Sequence, residues 1–353
     1  MKVLVLGMNY ASTMNSLVIG LKEIEVNVES ISFEEDRSIY NDFSQISCVF
    51  SSKKKSYFSH KIQFIKGLLK LRKAIKNATI IHVYSDFQIP TKYRKQIENW
   101  LFMRLAKNKK KYITFVGSEV RNPEIEKLHN PYYGKVLERK DYEYHSETKE
   151  GSIAHQKRFS RLQFSLICTP DTEHYIDKTL YETNKITLHP GIVNQLSIKN
   201  NFKEKIILVH APSAPIAKGT PQIEEVIHKL KAKYSHIEYK TLSGLTLDEY
   251  KNAVTNCSIY IDQIIWGYHG VAAIQAMALG KPVICYLHPS PLQFTPTIPM
   301  INANPDTLFE VIEKIIIDKV NLNELGELTR NYYLGNHTPK VIASKMIEHY
   351  QTK

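Results

Sequence analysis

Short apolar runs alternate with amphipathic stretches from one end of the chain to the other. Met1–Leu6, Val26–Phe33, Ile80–Tyr84 and Tyr112–Val116 are bounded by polar or turn-forming residues and read as buried strands. Leu166–Thr169 and Ile186–Leu188 are shorter runs of the same kind, and helical spacing fills Thr13–Lys22 and Glu98–Ala106. The pattern then restarts. Lys205–His210, Ile237–Leu242, Ser258–Gln263 and Pro282–Leu287 read as strands. The segments between them read as helices. Thr220 caps Thr220–Tyr234, with Pro221 at its first position. Thr246 and Glu249 form a capping box that opens a helix to about Val254. Gly270–Leu279 is a small-residue helix stopped by Gly280, and Asn304–Pro305 opens a helix to about Asp318.

Alternation of strand and helix predicts α/β architecture, with parallel sheets covered by helices on both faces. Two such runs predict two doubly wound domains, 1–193 and 194–336, joined near Gly191–Asn201. A last helix, 337–353, is expected to pack back on the N-terminal domain. The polar, Tyr-rich stretch Lys127–Gly151 has no clear period and reads as a loop or insertion.

A length of 353 residues, 43% hydrophobic and 23% charged, suits two soluble globular domains. The first apolar run is too short for a secretory signal, and no run reaches the length of a membrane-spanning helix. Cys48, Cys168, Cys257 and Cys285 are scattered without CxxC spacing. That pattern argues against a zinc site or a disulfide framework and for reduced thiols in the cytoplasm. The formal net charge of +12 asks for an anionic partner: nucleic acid, an anionic membrane or a phosphorylated substrate. No zinc-finger spacing, RNA-binding aromatic motif or helix-turn-helix supports nucleic acid.

Two strand-to-helix junctions can cradle a phosphate. The first is His210–Thr220, in which Ser213, Lys218, Gly219 and Thr220 stand before a helix start. Free amides, the helix dipole and one ammonium group suit a diphosphate there; an ordinary cap with a surface lysine is the alternative. The second is Gly267–Val283, where Tyr268, His269, Gly270 and Val271 form the turn and Gln275 lies one helical turn on. A packing helix with no ligand is its alternative.

At these segments the text HAPSAPIAKGT (210–220) and GYHGVAAIQAMALGKPV (267–283) resembles the family 4 retaining glycosyltransferases, which have the GT-B fold. Thr114–Arg121 (TFVGSEVR) is a weaker echo of that family's N-terminal segment. The resemblance implies two Rossmann-like domains facing across a cleft and transfer of a hexose-type sugar, with retention, from a UDP- or GDP-type donor. It implies that Lys218 contacts the donor diphosphate, that backbone amides of Tyr268–Val271 hold the phosphates and sugar, and that Gln275 meets the ribose. Glu119 and Arg121 would join Lys218 in catalysis, with Asn9, Tyr10, His82, Gly117 and Ser118 on the acceptor side, near the 127–151 insertion. The sequence departs from the family at several places. Gly267 and Gln275, eight positions apart, stand where the family has two glutamates. Val116 stands for a histidine, and no arginine precedes Lys218 between Ser213 and Ala217. No DxD motif is present, so neither a metal nor a separate cofactor is expected; the nucleotide sugar is the substrate. A nucleotide-binding partner subunit without activity, and a nucleotide-sugar epimerase recruiting Glu119, His82 or His269, are the rival readings.

The segment His60–Lys76 (HKIQFIKGLLKLRKAIK) reads as a basic amphipathic helix. Ile62, Ile65, Leu68, Leu69 and Ile75 are expected on one face and Lys66, Lys70, Arg72 and Lys73 elsewhere, with Lys53–Lys55 upstream and a second basic run at Lys107–Lys111. Two readings follow. Either the apolar face covers the N-terminal sheet, or the helix rests on an anionic membrane, which would suit a glycan or lipid-linked acceptor at the inner face of the membrane in surface polysaccharide synthesis.

Overall fold

A computed structural model describes residues 1–32, 42–49, 57–87, 89, 91–182, 205–289 and 297–352, the side chains of 57–60, 247 and 352 excepted. The expected strand Ile186–Leu188, the expected joint Gly191–Asn201 and Lys53–Lys55 lie outside the described residues. The chain divides into two compact units. The first comprises Met1–Arg121, Thr148–Leu188 and Pro339–Lys353; the second comprises Asn122–Glu147 and His189–Thr338.

The first unit begins with β1 (Lys2–Gly7), α1 (Thr13–Glu23), β2 (Asn27–Ser32), β3 (Ser47–Cys48), α2 (Tyr57–Asn77) and β4 (Ile80–Tyr84). After α3 (Arg94–Glu98), a π-helical stretch Asn99–Leu105 leads into β5 (Lys110–Phe115). The chain then forms α4 (Pro123–His129) and α5 (Pro131–Val136) in the second unit and returns with α6 (Lys149–Arg161) and β6 (Ser165–Cys168). All six strands are parallel, in the order β3-β2-β1-β4-β5-β6. Alternate residues of β1 serve opposite faces, as a period of two requires. Leu4 and Leu6 join the core that holds Leu71, Ile75 and Phe159, whereas Val3 and Val5 join the one that holds Met14, Leu17, Ile342 and Met346.

The second unit continues with β7 (Ile206–His210), α7 (Pro215–Lys218), α8 (Thr220–Lys233), β8 (Ile237–Thr241), α9 (Leu247–Thr255), β9 (Ile259–Ile261) and α10 (Val271–Ala278). It closes with β10 (Val283–Cys285), β11 (Ile301–Asn302), α11 (Leu308–Ile317) and α12 (Leu322–Asn336). The final helix, α13 (Pro339–Thr352), belongs to the first unit. The second sheet is also parallel, ordered β11-β10-β9-β7-β8. The capping box at Thr246 forms as expected.

Three local expectations change. The stretch 127–151 is not a structureless loop. Asn122 and Asn130 each accept amide hydrogens at a helix start, with Pro123 and Pro131 in the first turn, and so build α4 and α5. Tyr133, Val136 and Tyr142 then bury themselves in the second unit's core, where the Tyr133 and Tyr142 hydroxyls meet Glu147. Thr220 is not the cap of α8; Gly219 is, and the Thr220 hydroxyl turns inward to His210 Nε2 at 2.9 Å. The apolar residues of α2 do not share one face. Leu71 and Ile75 are buried and Leu68 packs on the core, while Ile62, Ile65 and Leu69 are exposed.

Candidate functional site

In the second unit the strand order reverses direction between β7 and β9, the place where open α/β sheets bind ligands beyond their carboxyl ends. Both suspected junctions meet there. Lys218, which follows β7, sends its Nζ to within 3.3 Å of Asp262 Oδ1, just beyond β9; the side chains are 7% and 0% exposed. The other carboxylate oxygen, Asp262 Oδ2, accepts the Gly270 amide hydrogen at 2.8 Å, immediately before α10. The Ile264 amide donates to the Lys218 carbonyl at 3.1 Å and closes the same junction from below. A methyl group placed on Gly270 would lie 3.9 Å from Lys218 Nζ, so the ammonium sits at the start of α10.

That helix start is open. Gly270 is its N-cap and no side chain caps it. Among the described residues, the Val271, Ala272 and Ala273 amides have no acceptor, and Gly270, Val271 and Ala272 are half-buried. Orphan donors at the positive end of a helix dipole, beside a buried ammonium, are an arrangement that can accept an anion. Gln275, half-buried, lies one turn further along α10.

The first junction is more closed than its sequence suggests. Glu143 places one carboxylate oxygen 2.7 Å from the Ile216 amide and the other 3.1 Å from the Ala217 amide. An internal anion thus already holds the α7 amides. Gly219 adopts φ +84°, and a Cβ there would lie 2.6 Å from Ile264 Cγ1, so this turn needs glycine. Ser213 is exposed at the rim. His210, fully buried, is bonded to the Ile261 carbonyl and to Thr220, and burial pushes its pKa down to about 4.

The second junction is part open backbone and part core. Tyr268 and His269 are buried and stack on each other, and His269 meets His337 edge-on. Their side chains are packing, so the junction offers backbone instead. Gly267 has φ +77°, its carbonyl accepts the His288 amide hydrogen at 2.7 Å, and a Cβ would lie 2.8 Å from His288 Cβ. This backbone leaves no place for the glutamate that the resembling family carries there.

The residues of the first unit are placed separately. Asn9 is buried, accepting the Asn15 amide hydrogen and donating to the Asp42 carbonyl, which makes it a loop fastener. Tyr10 and Ser118 are exposed, Gly117 is buried and Arg121 is half-buried. Glu119 Oε1 accepts the Val116 amide hydrogen at 2.8 Å. His82 cannot serve an acceptor or act as an acid or base at a surface. It is fully buried, with Nδ1 2.5 Å from the Tyr350 hydroxyl and Nε2 2.7 Å from Thr114 Oγ1, and burial lowers its pKa to about 3. Asp262 and Glu143 were not singled out from the sequence. Asp262 stood visible as the polar residue ending a buried strand; Glu143 carried no local signal.

No protein-family model matches the chain, and no curated protein matches it by sequence. Solved structures match over its whole length. The Anabaena protein HepE, in complex with UDP and glucose, superposes with a TM-score of 0.62 at 10% identity, covering 100% of both chains. A sucrose-phosphate synthase from Thermosynechococcus elongatus gives 0.59 at 13% identity, over 100% of this chain and 99% of that one. The apo form of WaaB, a lipopolysaccharide outer core galactosyltransferase, gives 0.51 at 9% identity over both full lengths. At such identities the likeness is one of fold. With two parallel-sheet α/β units, it makes this fold the GT-B type, Rossmann-like in each unit.

Proposed function

We propose that the chain is a glycosyltransferase that takes a hexose-type sugar from a UDP- or GDP-type donor, whose diphosphate seats at the start of α10 beside Lys218. The observation that carries this reading is the meeting of a buried ammonium with uncapped amides at the β7/β9 reversal. The leaving diphosphate gains negative charge as the glycosidic bond breaks. Preorganised amides and one lysine would stabilise that charge in a partly dehydrated site. Transfer with retention, without a metal, to a glycan or lipid-linked acceptor in surface polysaccharide synthesis is the full form of the proposal. The HepE structure with UDP and glucose supports the donor class by its fold likeness.

A second reading is favoured by one observation, the absence of any carboxylate at Gly267 and Gln275. In it the chain binds nucleotide as a partner subunit and does not turn it over. Thermal shift and calorimetry with UDP, GDP and their sugars, followed by turnover against glycan and lipid-linked acceptors, separate the two. A selective nucleotide with sugar transfer supports the transferase. Selective binding without transfer supports the partner subunit, and no binding to any nucleotide removes both.

A further inference from the structure

Helix α2 has two finished faces. Toward the unit's interior it presents Leu71, Ala74 and Ile75, all buried, with Phe64 and Leu68 packed beside them. At 3.6 residues per turn, Ile62, Ile65 and Leu69 align on the opposite side. They are 41%, 57% and 58% exposed. Lys66 and Lys70 flank this stripe on one side, Arg72 flanks it on the other, and Lys73 and Lys76 continue it; all five are exposed. The helix contains six Lys or Arg residues and no Asp or Glu. Among the described residues, no carboxylate pairs with Lys66, Lys70, Arg72, Lys73 or Lys76. A groove of about 430 Å³ opens between α2 and the end of β3, with Val49 and Ile62 in its wall and Lys66 and Lys70 lining it.

We propose that this outer face of α2 lies on an anionic phospholipid bilayer, with Ile62, Ile65 and Leu69 entering the headgroup boundary and the flanking lysines meeting lipid phosphates. Charge complementarity names the occupant. The face is wholly cationic around an apolar centre, and a bilayer interface offers phosphate and hydrocarbon at adjacent depths. A nucleic acid would satisfy the lysines and leave the apolar stripe unused. No helix among the described residues is long and apolar enough to cross a membrane, so the contact is one of lying on the surface. The proposal does not rest on the transferase reading.

The test is co-sedimentation of the full chain with phosphatidylcholine vesicles, with and without about one-third phosphatidylglycerol, at low and high salt. Binding should require the anionic lipid and weaken with salt. Lys66→Gln and Lys70→Gln should each lower the partition about fivefold. Leu69→Gln together with Ile65→Gln should abolish binding with the charges intact. These side chains are exposed, so circular dichroism should show the variants folded like the parent. Failure to sediment with anionic vesicles at low salt overturns the proposal, as does equal binding to neutral vesicles. If light scattering finds a dimer that Leu69→Gln dissociates while vesicles bind nothing, the face belongs to a second copy of the chain and the proposal is likewise overturned.

Discussion

The Lys218–Asp262 pair can be separated into a structural and a ligand-binding share. Lys218→Met keeps the aliphatic stem and removes the ammonium. Asp262, 0% exposed, then keeps the Gly270 amide as a donor and has no counter-charge. Breaking one side of such a buried pair lowers stability by about 3–5 kcal/mol. Asp262→Asn should do similar harm from the other side, leaving the ammonium unbalanced. The double variant Lys218→Met, Asp262→Asn carries no charge at either of these two positions, and the new amide can still accept from Gly270. Urea unfolding should therefore show its stability recovered to within about 1 kcal/mol of the parent.

Donor affinity should behave differently. A charge-assisted contact with the diphosphate is worth about 1.5–3 kcal/mol, roughly 10- to 100-fold in Kd. UDP calorimetry should show that loss in Lys218→Met and again, undiminished, in the double variant. If the double variant regains both stability and nucleotide affinity, Lys218 is only a brace between two loops, and the phosphate assignment fails.

Three further outcomes are expected. Gly219→Ala forces a Cβ onto a left-handed residue and against Ile264 and Ile265, so it should destabilise by about 2–4 kcal/mol in denaturant unfolding. His82 and His210 are held neutral by burial, with pKa values near 3 and 4 in the fold against the ordinary 6.5. The unfolded chain therefore binds protons first as pH falls; the contribution is complete above pH 6.5 and is lost on descending toward those values, by roughly 3 kcal/mol for His210, which urea titrations across that window would record. Gln275→Ala, if this amide meets the ribose, should weaken UDP binding by about 2- to 10-fold and leave binding of inorganic pyrophosphate unchanged.

Much of the architecture was readable because its period is short and local. Runs such as Ile80–Tyr84 and Lys205–His210 are apolar but for His82 and the end residues Lys205 and His210, as strands covered on both faces tend to be, and the box at Thr246 and Glu249 is a contiguous instruction. The helices of 123–136 were hidden by composition. Their tyrosines and charges obscure the apolar period, yet Asn122–Pro123 and Asn130–Pro131 are two start motifs eight residues apart. The split of α2 was missed for a geometric reason. Leu68 and Leu69 are neighbours in sequence and about 100° apart around the axis. At the site, adjacency along each junction pointed to Lys218 and to the α10 start. The partners that complete the geometry come from far away: Asp262 lies 44 residues from Lys218, and Glu143 lies 73 from Ile216. No local period carries such pairings.

The departures from the resembling family also take on a physical form. Gly267 is set by its backbone, which bends at positive φ and stands against His288. Restoring a glutamate there would require the loop to move before any ligand contact was gained. Gln275 offers a neutral amide where a carboxylate would add negative charge near a diphosphate. Asp262 is bonded to the Gly270 amide at the α10 start, and it is balanced by Lys218. Near α10 the described residues therefore present oriented amide dipoles and a compensated ion pair, and no other carboxylate among them is bonded to the helix start. Such a surface would hold a diphosphate well and a ribose weakly. The phosphates would then supply most of the binding free energy, and discrimination between bases would fall to groups outside this junction.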